Sequence, residues 1–470
     1  MRMPPDRFCT LKKVQGCVGP IALEQAGVSG VAAEQAPCRH KMEDEAQQHT
    51  LRMGTRETFG GVQPFGLSRI DRRQHVYVLG KTGTGKTTFL RNLILQDIEN
   101  GEGVGVIDPH GDLAEDLLDH IPSRRTDDVV YFHPADGEAT VGLNLLKSVP
   151  PARRHLVASG IVSALKSIWH ESWGPRLEYV LYAAVAALLE CQNTTILGIQ
   201  RMLVDARYRS WVVKQVKDPM IRAYWTQEFA GYDKRLRAEV IAPIQNKVGQ
   251  LLMAPPMRSV LGQVNPKVDA RFMMDDQRIF IANLSKGELG ADKSNLLGAL
   301  LTTQFQLAAM SRTDISEVER RDFHLYVDEF HNFTTEAFTS ILAEARKYRL
   351  CLTLCHQYSS QLRPETLNAV LGNVGSIVCF RVGDPDARLM DREFGGKYPA
   401  SAFSSLANRR SVVKILKGGE PIDPFFGMPD APTARRYGRL ENIISRSREK
   451  YASPKQVIED KIRRWIGHNH

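Results

Sequence analysis

The sequence Gly80-Lys81-Thr82-Gly83-Thr84-Gly85-Lys86-Thr87 matches the pattern G-x-x-x-x-G-K-[ST] at every fixed position. Residues 76–79 before it form an apolar run, and residues 87–99 after it carry apolar side chains at helical spacing. A strand before this motif and a helix after it are the flanks that it requires. Residues 104–107 and 113–120 repeat the order of strand and helix, which predicts an α/β fold with a parallel sheet.

The parts of this loop suit a bound nucleotide. Its glycines let the backbone fold tightly around phosphates, and the following helix presents free N–H groups. Lys86 is expected to bridge the β and γ phosphates, and Thr87 is expected to coordinate Mg²⁺. The sequence therefore predicts an ATP·Mg²⁺ site formed by Gly80, Lys81, Thr82, Gly83, Thr84, Gly85, Lys86, Thr87 and Thr88.

A second acidic site is needed for hydrolysis, and Phe323-His324-Leu325-Tyr326-Val327-Asp328-Glu329 supplies it as a β-prone run that ends in two carboxylates. We expect Asp328 to bind Mg²⁺, directly or through water, and Glu329 to be the general base for the attacking water. Such a run is unspecific by itself, since many strands end in acidic residues. Together with the phosphate-binding loop it predicts an ATPase.

Two further residues fit this chemistry. Arg346 lies on the helix after the acidic pair, from which an arginine can reach the γ-phosphate of a neighbouring subunit. Gln357 follows the next strand-like run and can sense the γ-phosphate or position water. A solvated arginine and a loop glutamine are the ordinary alternatives. Arg381, after the run 377–380, is a weaker candidate for an arginine that faces phosphate.

The α/β pattern is interrupted once. Between about 150 and 270 the β signal vanishes, and amphipathic helices are predicted instead; strand-like runs then resume at 279–284, 323–327, 350–355, 377–380 and 411–416. The predicted divisions are an irregular N-terminal arm (1–70), two parts of an ATPase core (71–150 and 271–433), an all-α insertion (151–270) and a basic C-terminal helical arm (434–470).

Several segments, in this order, resemble the motor domain of TraG/TraD-type conjugative coupling proteins of type IV secretion, which belong to the FtsK/HerA group of P-loop motors. The resemblance covers about residues 60 to 435 and rests on Gly80 to Thr87, Asp108-Pro109-His110-Gly111-Asp112-Leu113, Val141-Gly142-Leu143-Asn144, Tyr326-Val327-Asp328-Glu329-Phe330, Ala345-Arg346-Lys347-Tyr348 and His356-Gln357.

This resemblance implies a RecA-like core and a hexameric ring, with ATP between subunits and DNA in a central channel. It also implies an all-α domain where this chain has residues 150–270. The residues that match the family motifs are Lys86 and Thr87 for phosphate and Mg²⁺, Asp328 and Glu329 as the second acidic site, Arg346 as an arginine acting in trans and Gln357 as a sensor.

The charge of the chain favours DNA as a partner. Its formal net charge is +9 and its pI about 9.1, which suits a polyanion. Contacts to phosphate would make the binding independent of base sequence. Candidate contacts in the helical segment, for which a solvated surface is the alternative, are Arg153, Arg154, Arg176, Lys214, Lys217, Arg222, Lys234, Arg235 and Arg237. The resemblance adds a relaxase and type IV secretion components as possible partners.

The expected location is the cytoplasm, with peripheral attachment to the inner membrane through partners. The longest apolar stretches are too short or too interrupted to cross a bilayer, unlike the N-terminal membrane helices of typical coupling proteins. Seven cysteines, an odd number, suit a reducing compartment. Cys9, Cys17, Cys38 and His40 match no zinc spacing, so no metal cluster is predicted there.

These observations together predict an ATP-driven DNA translocase that delivers DNA to a conjugation channel. One alternative is a soluble HerA-like translocase in DNA repair or packaging. Another is an adaptor that binds nucleotide without hydrolysing it, although Lys86, Thr87, Asp328 and Glu329 are all chemically intact. A small-molecule kinase is disfavoured, because the acidic residues stand in tandem and no acceptor-site motif is evident.

Overall fold

A computed structural model of the chain describes residues 50–432 and 435–467. Cys9, Cys17, Cys38 and His40 lie outside the described residues. The strands of the described part are β1 (Leu51–Thr58), β2 (Gly61–Leu67), β3 (Val76–Leu79), β4 (Gly103–Asp108), β5 (Val129–Phe132), β6 (Ala139–Val141), β7 (Ile279–Asn283), β8 (Phe323–Val327), β9 (Leu350–His356), β10 (Ser376–Cys379), β11 (Ser411–Lys414), β12 (Leu416–Lys417), β13 (Glu420–Pro421), β14 (Phe425–Pro429) and β15 (Ala452–Pro454).

The α-helices of the described part are α1 (Arg69–Arg72), α2 (Lys86–Glu99), α3 (Asp112–Leu118), α4 (Arg154–Ile168), α5 (Pro175–Leu189), α6 (Gly198–Val204), α7 (Ala206–Gln215), α8 (Pro219–Ala223), α9 (Phe229–Gly231), α10 (Lys234–Ile244), α11 (Gln250–Met253), α12 (Pro255–Leu261), α13 (Ala270–Asp275), α14 (Lys286–Leu289), α15 (Ala291–Ser311), α16 (Glu336–Glu344), α17 (Pro364–Asn373), α18 (Asp384–Glu393), α19 (Ala400–Ser404), α20 (Leu440–Tyr451) and α21 (Lys455–Gly467). Two π-helical segments, Tyr224–Glu228 and Gln245–Gly249, join α8 to α9 and α10 to α11.

An eleven-stranded sheet forms the centre of the described residues, in the order β2-β1-β14-β11-β10-β3-β9-β8-β4-β7-β5. The seven strands from β10 to β5 are parallel to one another. The other four, β11, β14, β1 and β2, extend the sheet by antiparallel pairing. Every residue of β3, β4, β8 and β9 is buried, as expected for parallel strands covered on both faces. The predicted parallel α/β fold is confirmed.

Each face of the sheet has its own hydrophobic core. Val76 and Val78 of β3 pack into one core, together with apolar residues of α2 and α3. Tyr77 and Leu79 point to the opposite face and join the core that includes α4, α5 and α15. Side chains alternate along a strand, so β3 contributes to both cores and lies between two layers of helices. This packing fixes the position of its carboxyl end.

Between Arg154 and Asp275 the described residues form helices and no strand, as the missing β signal in this segment predicts. These helices pack on the core through α4, which contacts both α15 and α5. The division of the chain into domains at residues 70, 150, 270 and 433 stays a prediction.

The expectation that residues 1–70 are irregular is wrong for residues 51–67. These residues form β1 and β2, which pair with each other and, through β1, with β14. They contain few apolar side chains and include Pro64, so their sequence lacks a strand pattern. Pro64 is tolerated because β2 is the outermost strand of the sheet. Pairing of β1 with β14, whose partner residues lie 371 to 375 positions further along the chain, and not local sequence, makes this segment β-structure.

The basic C-terminal segment is helical, as predicted, but it is packed on the core. Ile443 and Ser447 of α20 are buried, and Ser447 Oγ accepts a hydrogen bond of 2.8 Å from the backbone N–H of Tyr131 in β5. Arg448 forms ion pairs with Asp136 at 2.8 Å and Glu138 at 2.6 Å. β15 then pairs with β6. The segment therefore closes the outer edge of the described fold and does not project as a separate arm.

None of the helices in residues 50–432 and 435–467 is long and apolar enough to cross a membrane.

Candidate active site

The candidate site lies at the edge where the parallel strands end. The phosphate-binding loop follows β3, Asp108 ends β4, Asp328 and Glu329 follow β8, and Gln357 follows β9. These strands are neighbours in the order β3-β9-β8-β4. Because parallel strands place their carboxyl ends at one edge of a sheet, residues far apart in sequence meet here.

The loop between β3 and α2 has a backbone that depends on glycine. A Cβ at Gly80 would lie 2.6 Å from Cβ of Phe380, a distance that side chains do not adopt. Gly85 has a φ of 114°, in the left-handed region that favours glycine. Two neighbouring loops hold the segment: Lys81 N–H donates to the carbonyl of Arg381 at 2.8 Å, and Arg409 N–H donates to the carbonyl of Thr84 at 3.0 Å.

Lys86 is the first residue of α2, and its side chain is buried against its own loop. Its Nζ donates to the carbonyl oxygens of Gly80 at 2.6 Å and Lys81 at 3.1 Å. Thr87, the next residue, is exposed. An ammonium beneath a loop of backbone N–H groups, with a free hydroxyl beside it, can bind phosphate oxygens and a phosphate-bound cation.

Asp328 is buried beside other acidic groups. Burial, followed by repulsion from Asp108 and Glu329, raises the pKa of the Asp328 carboxyl to about 6; the Cys355 thiol and the charge of Lys86 act in the opposite direction. Oδ1 of Asp328 accepts from the backbone N–H of Glu329 at 3.0 Å. A divalent cation between the phosphates and Asp328 would offset this repulsion, so the donor set fits Mg²⁺.

Glu329 has a left-handed backbone, with φ 47° and ψ 46°, which is unusual for a residue with a side chain. Such a conformation costs on the order of 1–2 kcal/mol, so it persists only where the surroundings enforce it. The turn carries the carboxylate towards β9, where its Oε1 accepts a hydrogen bond of 2.9 Å from Nε2 of Gln357. The structure thus brings together two residues that the sequence predicted separately.

Arg346 lies elsewhere. It is exposed in a short 3-10 turn, Ala345–Tyr348, just before β9 begins, at the amino end of the strands. Burial lowers the pKa of His75 to about 4, and the charge of Arg346 acts in the same direction, so the two lie near each other. His75 directly precedes β3, whereas the phosphate-binding loop follows it. Arg346 is therefore at the edge opposite the loop of its own chain.

Arg381 is close to the loop, and its side chain is hydrogen-bonded to the segment 406–408, directly before Arg409. Its guanidinium donates to the carbonyl of Leu406 at 3.4 Å and to Oδ1 of Asn408 at 2.9 Å. Arg409 in the same segment is exposed, and its Cγ lies 3.5 Å from where a Cβ of Gly85 would be. Sequence reasoning missed Arg409, because a loop arginine carries no signal in the sequence.

Sequence reasoning also did not select Asp108, His331 and Lys286, which the structure places beside the acidic pair. Asp108 ends an apolar run, the same signal that identified Asp328, and its oxygens accept from the backbone N–H groups of His110 at 2.8 Å and Ala114 at 3.0 Å. Lys286 Nζ donates to Oδ1 of Asn332 at 2.7 Å, beside the acidic pair. His331 lies 3.4 Å from Glu329. For His331 and Lys286 only the folded chain reveals the proximity.

The basic residues of the helical segment separate into two groups. The first group is bound to other parts of the protein. Arg153 donates to the carbonyl of Ser311 and to Thr313, and Arg154 pairs with Glu190. Arg237 lies over the ring of Phe229 and donates to nearby carbonyls. The exposed group consists of Arg176, Lys214, Lys217, Arg222, Lys234 and Arg235. In this second group Arg235 also pairs with Glu239 at 3.3 Å and Arg222 donates to the carbonyl of Lys214 at 3.3 Å, but all six side chains are exposed and can meet a polyanion.

A comparison with protein families identifies the chain. The sequence profile of the family described as "Type IV secretion-system coupling protein DNA-binding domain" matches residues 56–398. The chain belongs to this family of coupling proteins. The resemblance drawn from the motifs is therefore confirmed. A comparison with curated proteins found no match.

Solved structures of coupling proteins share the fold of this chain. The unbound bacterial conjugative coupling protein TrwBΔN70 aligns with a TM-score of 0.58 at 15% identity, covering 85% of this chain and 93% of its own. The plasmid coupling protein TrwB in complex with the non-hydrolysable ATP analogue ADPNP aligns with a TM-score of 0.60 at 15% identity, with the same coverage. VirB4 of Thermoanaerobacter pseudethanolicus gives 0.55 at 12% identity, covering 81% of this chain and 96% of its own. The predicted RecA-like P-loop fold with helical parts is confirmed.

Proposed function

We propose that this coupling protein is an ATPase that moves DNA and delivers it to a type IV secretion channel. The observation that carries the proposal is the meeting of the Lys86 loop, Asp328 and the Glu329–Gln357 pair at one edge of the sheet, where Gln357 donates to Glu329 at 2.9 Å. Membership of the coupling-protein family supports the DNA substrate. Structures of TrwB with ADP and Mg²⁺ and with an ATP analogue support the nucleotide.

In the proposed site, Lys86 exchanges its hydrogen bonds to the carbonyls of Gly80 and Lys81 for contacts with the β and γ phosphates. The N–H groups of Gly80 and Lys81 already donate to the carbonyls of His356 and Arg381, so the backbone N–H groups that surround the phosphates are those from Thr82 to Thr88. Thr87 and Asp328 would hold Mg²⁺, which supplies positive charge against the phosphate oxygens.

Hydrolysis then depends on Glu329. Its carboxylate accepts the proton of the attacking water, and Gln357 keeps that carboxylate directed towards the loop. Gln357 can also respond to the γ-phosphate. An amide that contacts both the Glu329 carboxylate and the γ-phosphate must reorient when the phosphate leaves. The burial of Glu329 excludes bulk water and strengthens these electrostatic contacts.

The proposed assembly is a homo-oligomeric ring, hexameric by family resemblance, in which Arg346 of one subunit faces the loop of the next. Its exposure at the edge opposite its own loop supports this arrangement. The exposed basic residues Arg176, Lys214, Lys217, Arg222, Lys234 and Arg235 are candidates for contacts with DNA phosphates. A relaxase and secretion components are the proposed partners that recruit the ring.

The test is an ATPase assay with and without DNA on three variants. Lys86→Ala should lose both nucleotide affinity and turnover, since the charge that contacts the phosphates is gone. Glu329→Gln should keep ATP bound but hydrolyse it slower by about two orders of magnitude or more, because the base is lost. Glu344→Gln, an exposed glutamate of α16, is the matched control and should behave as wild type.

DNA should stimulate the wild-type rate. Turnover that is unchanged in both Lys86→Ala and Glu329→Gln would refute the proposed site. ATPase activity that does not respond to DNA of any sequence would refute coupling of hydrolysis to DNA movement.

A further inference from the structure

The Glu329 carboxylate has one oxygen without a hydrogen-bond partner. Oε1 accepts from Gln357, but Oε2 is buried and has no partner among the described residues. A buried carboxylate oxygen without a donor is costly, so such an atom calls for an explanation. Nδ1 of His331 lies 3.4 Å from it and is also buried without a partner.

The orientation of the His331 ring is set from its other side. Gln361 Oε1 accepts from the backbone N–H groups of Gln357 at 3.3 Å and Tyr358 at 3.2 Å. This fixes the side-chain amide of Gln361, because its oxygen must face those two donors. Its Nε2 then faces Nε2 of His331 at 3.2 Å.

The proton of the His331 ring follows from this contact. An amide nitrogen can only donate, so Nε2 of His331 accepts and carries no hydrogen. A neutral imidazole bears its single proton on the other nitrogen, which is Nδ1. That nitrogen lies 3.4 Å from Oε2 of Glu329, so the two partnerless atoms are chemically a matching donor and acceptor.

The surroundings keep the ring neutral. Burial lowers the pKa of His331 to about 4, and the positive charges of Lys286 and His110 act in the same direction. Near neutral pH the ring is therefore a hydrogen-bond donor at one nitrogen and an acceptor at the other. It adds no net charge next to the carboxylate.

We propose that His331 is a positioning residue for Glu329: Gln361 holds its ring so that Nδ1–H donates to Oε2 and fixes the carboxylate for proton transfer from water. This inference rests on the proposed role of Glu329 as the general base. With Gln357 on Oε1 and His331 on Oε2, both carboxylate oxygens have a side-chain donor. The proposal expects the distance of 3.4 Å to shorten when substrate binds, because catalytic hydrogen bonds are often long without substrate.

Two substitutions of His331 separate positioning from packing. Asparagine places its amide nitrogen close to the position of Nδ1, whereas glutamine places a polar atom close to the position of Nε2. His331→Asn should therefore keep kcat for ATP within about threefold of wild type. His331→Gln and His331→Ala should lose about tenfold to a hundredfold in kcat, as expected for a lost hydrogen bond to a charged group. KM for ATP should stay within about twofold in all three, because His331 does not contact phosphate.

Glu329→Gln is measured beside these variants, so that failure of the inference can be told from failure of the proposed function. If Glu329→Gln is slow, then His331→Gln in that background should give no further loss, since its effect acts through the carboxylate. Thermal unfolding midpoints establish that each variant is folded.

The inference is overturned if His331→Gln turns over like wild type while Glu329→Gln is slow. It is also overturned if folded His331→Asn and His331→Gln are equally impaired, because a packing role would not distinguish the two amides. If Glu329→Gln itself retains wild-type turnover, then Glu329 is not the base and the proposed mechanism fails together with this inference.

Discussion

Replacing Arg346 by alanine tests whether the active site is shared between subunits. Arg346 is exposed and lies near His75. His75 is the residue before β3, whereas Gly80 is the residue after it. A strand rises about 3.3 Å per residue, so five residues separate the two edges by about 16 Å. This is more than twice the length of an extended arginine side chain. An Arg346 side chain beside His75 therefore lies too far from its own loop to contact phosphate there, which supports the proposed role in trans.

The expected effect is large. An arginine that neutralises charge on the transferring phosphoryl group contributes a factor of about 10³ to 10⁵ in turnover. Arg346→Ala should lose most of this factor and still bind ATP through its intact loop. Lys347→Ala removes the adjacent exposed cation and is the matched control, expected to keep wild-type turnover.

A mixing experiment decides the trans role. Arg346→Ala and Lys86→Ala subunits should each be inactive, but in the proposed ring a mixture contains interfaces where an intact loop meets an intact Arg346. Those interfaces should restore measurable ATPase activity. The reasoning is refuted if mixed rings form and stay inactive, or if Arg346→Ala alone has normal turnover; in either case Arg381 is the next residue to test.

Three other predictions follow from charge and burial. Affinity for duplex DNA should fall with salt at a log–log slope of about −0.9 per phosphate contacted, with little dependence on sequence; binding that ignores salt in a titration would contradict this. Asp97→Asn leaves Arg72 buried without its ion pair of 2.6 Å and should cost about 3–5 kcal/mol in urea unfolding, whereas the exposed control Asp384→Asn should cost less than about 1 kcal/mol. Burial lowers the pKa of His324 to about 4, below its unfolded value near 6.5. Between these two pH values the unfolded chain binds a proton that the folded chain does not, so the free energy of unfolding falls as the pH drops from about 6.5 to about 4. His324→Leu should remove about 3 kcal/mol of that fall, measured as urea midpoints at several pH values; an unchanged pH dependence would show that His324 is not the group that titrates.

Local sequence was enough to predict the central part of the fold. The runs at 76–79 and 323–327 coincide with β3 and β8, and the run at 350–355 is one residue shorter than β9. Buried parallel strands are continuous apolar runs, so they can be read without knowing their partners. β1 and β2 could not be predicted, because their Gly, Pro and charged residues form strands only through the pairing of β1 with β14 and of β2 with β1.

The sequence by itself determined the residues that are consecutive in the chain: the glycine-rich loop with Lys86 and Thr87, and the adjacent Asp328 and Glu329. Their backbone geometry depends on neighbours along the chain, such as the glycine at 85 with its φ of 114°. The sequence also predicted that Gln357 follows a strand. It did not predict the contact of Gln357 with Glu329, which is 28 residues away.

Only the tertiary structure decided which of these residues meet. The order β3-β9-β8-β4 puts Gln357 beside Glu329 and Asp108 beside Asp328. Arg346 lies at the opposite ends of the strands, because its turn directly precedes β9. Strand order depends on pairing and burial between distant segments, which no local pattern encodes. The contacts of His331 with Gln361 and Glu329 arise in the same way, from two loops at the ends of neighbouring strands.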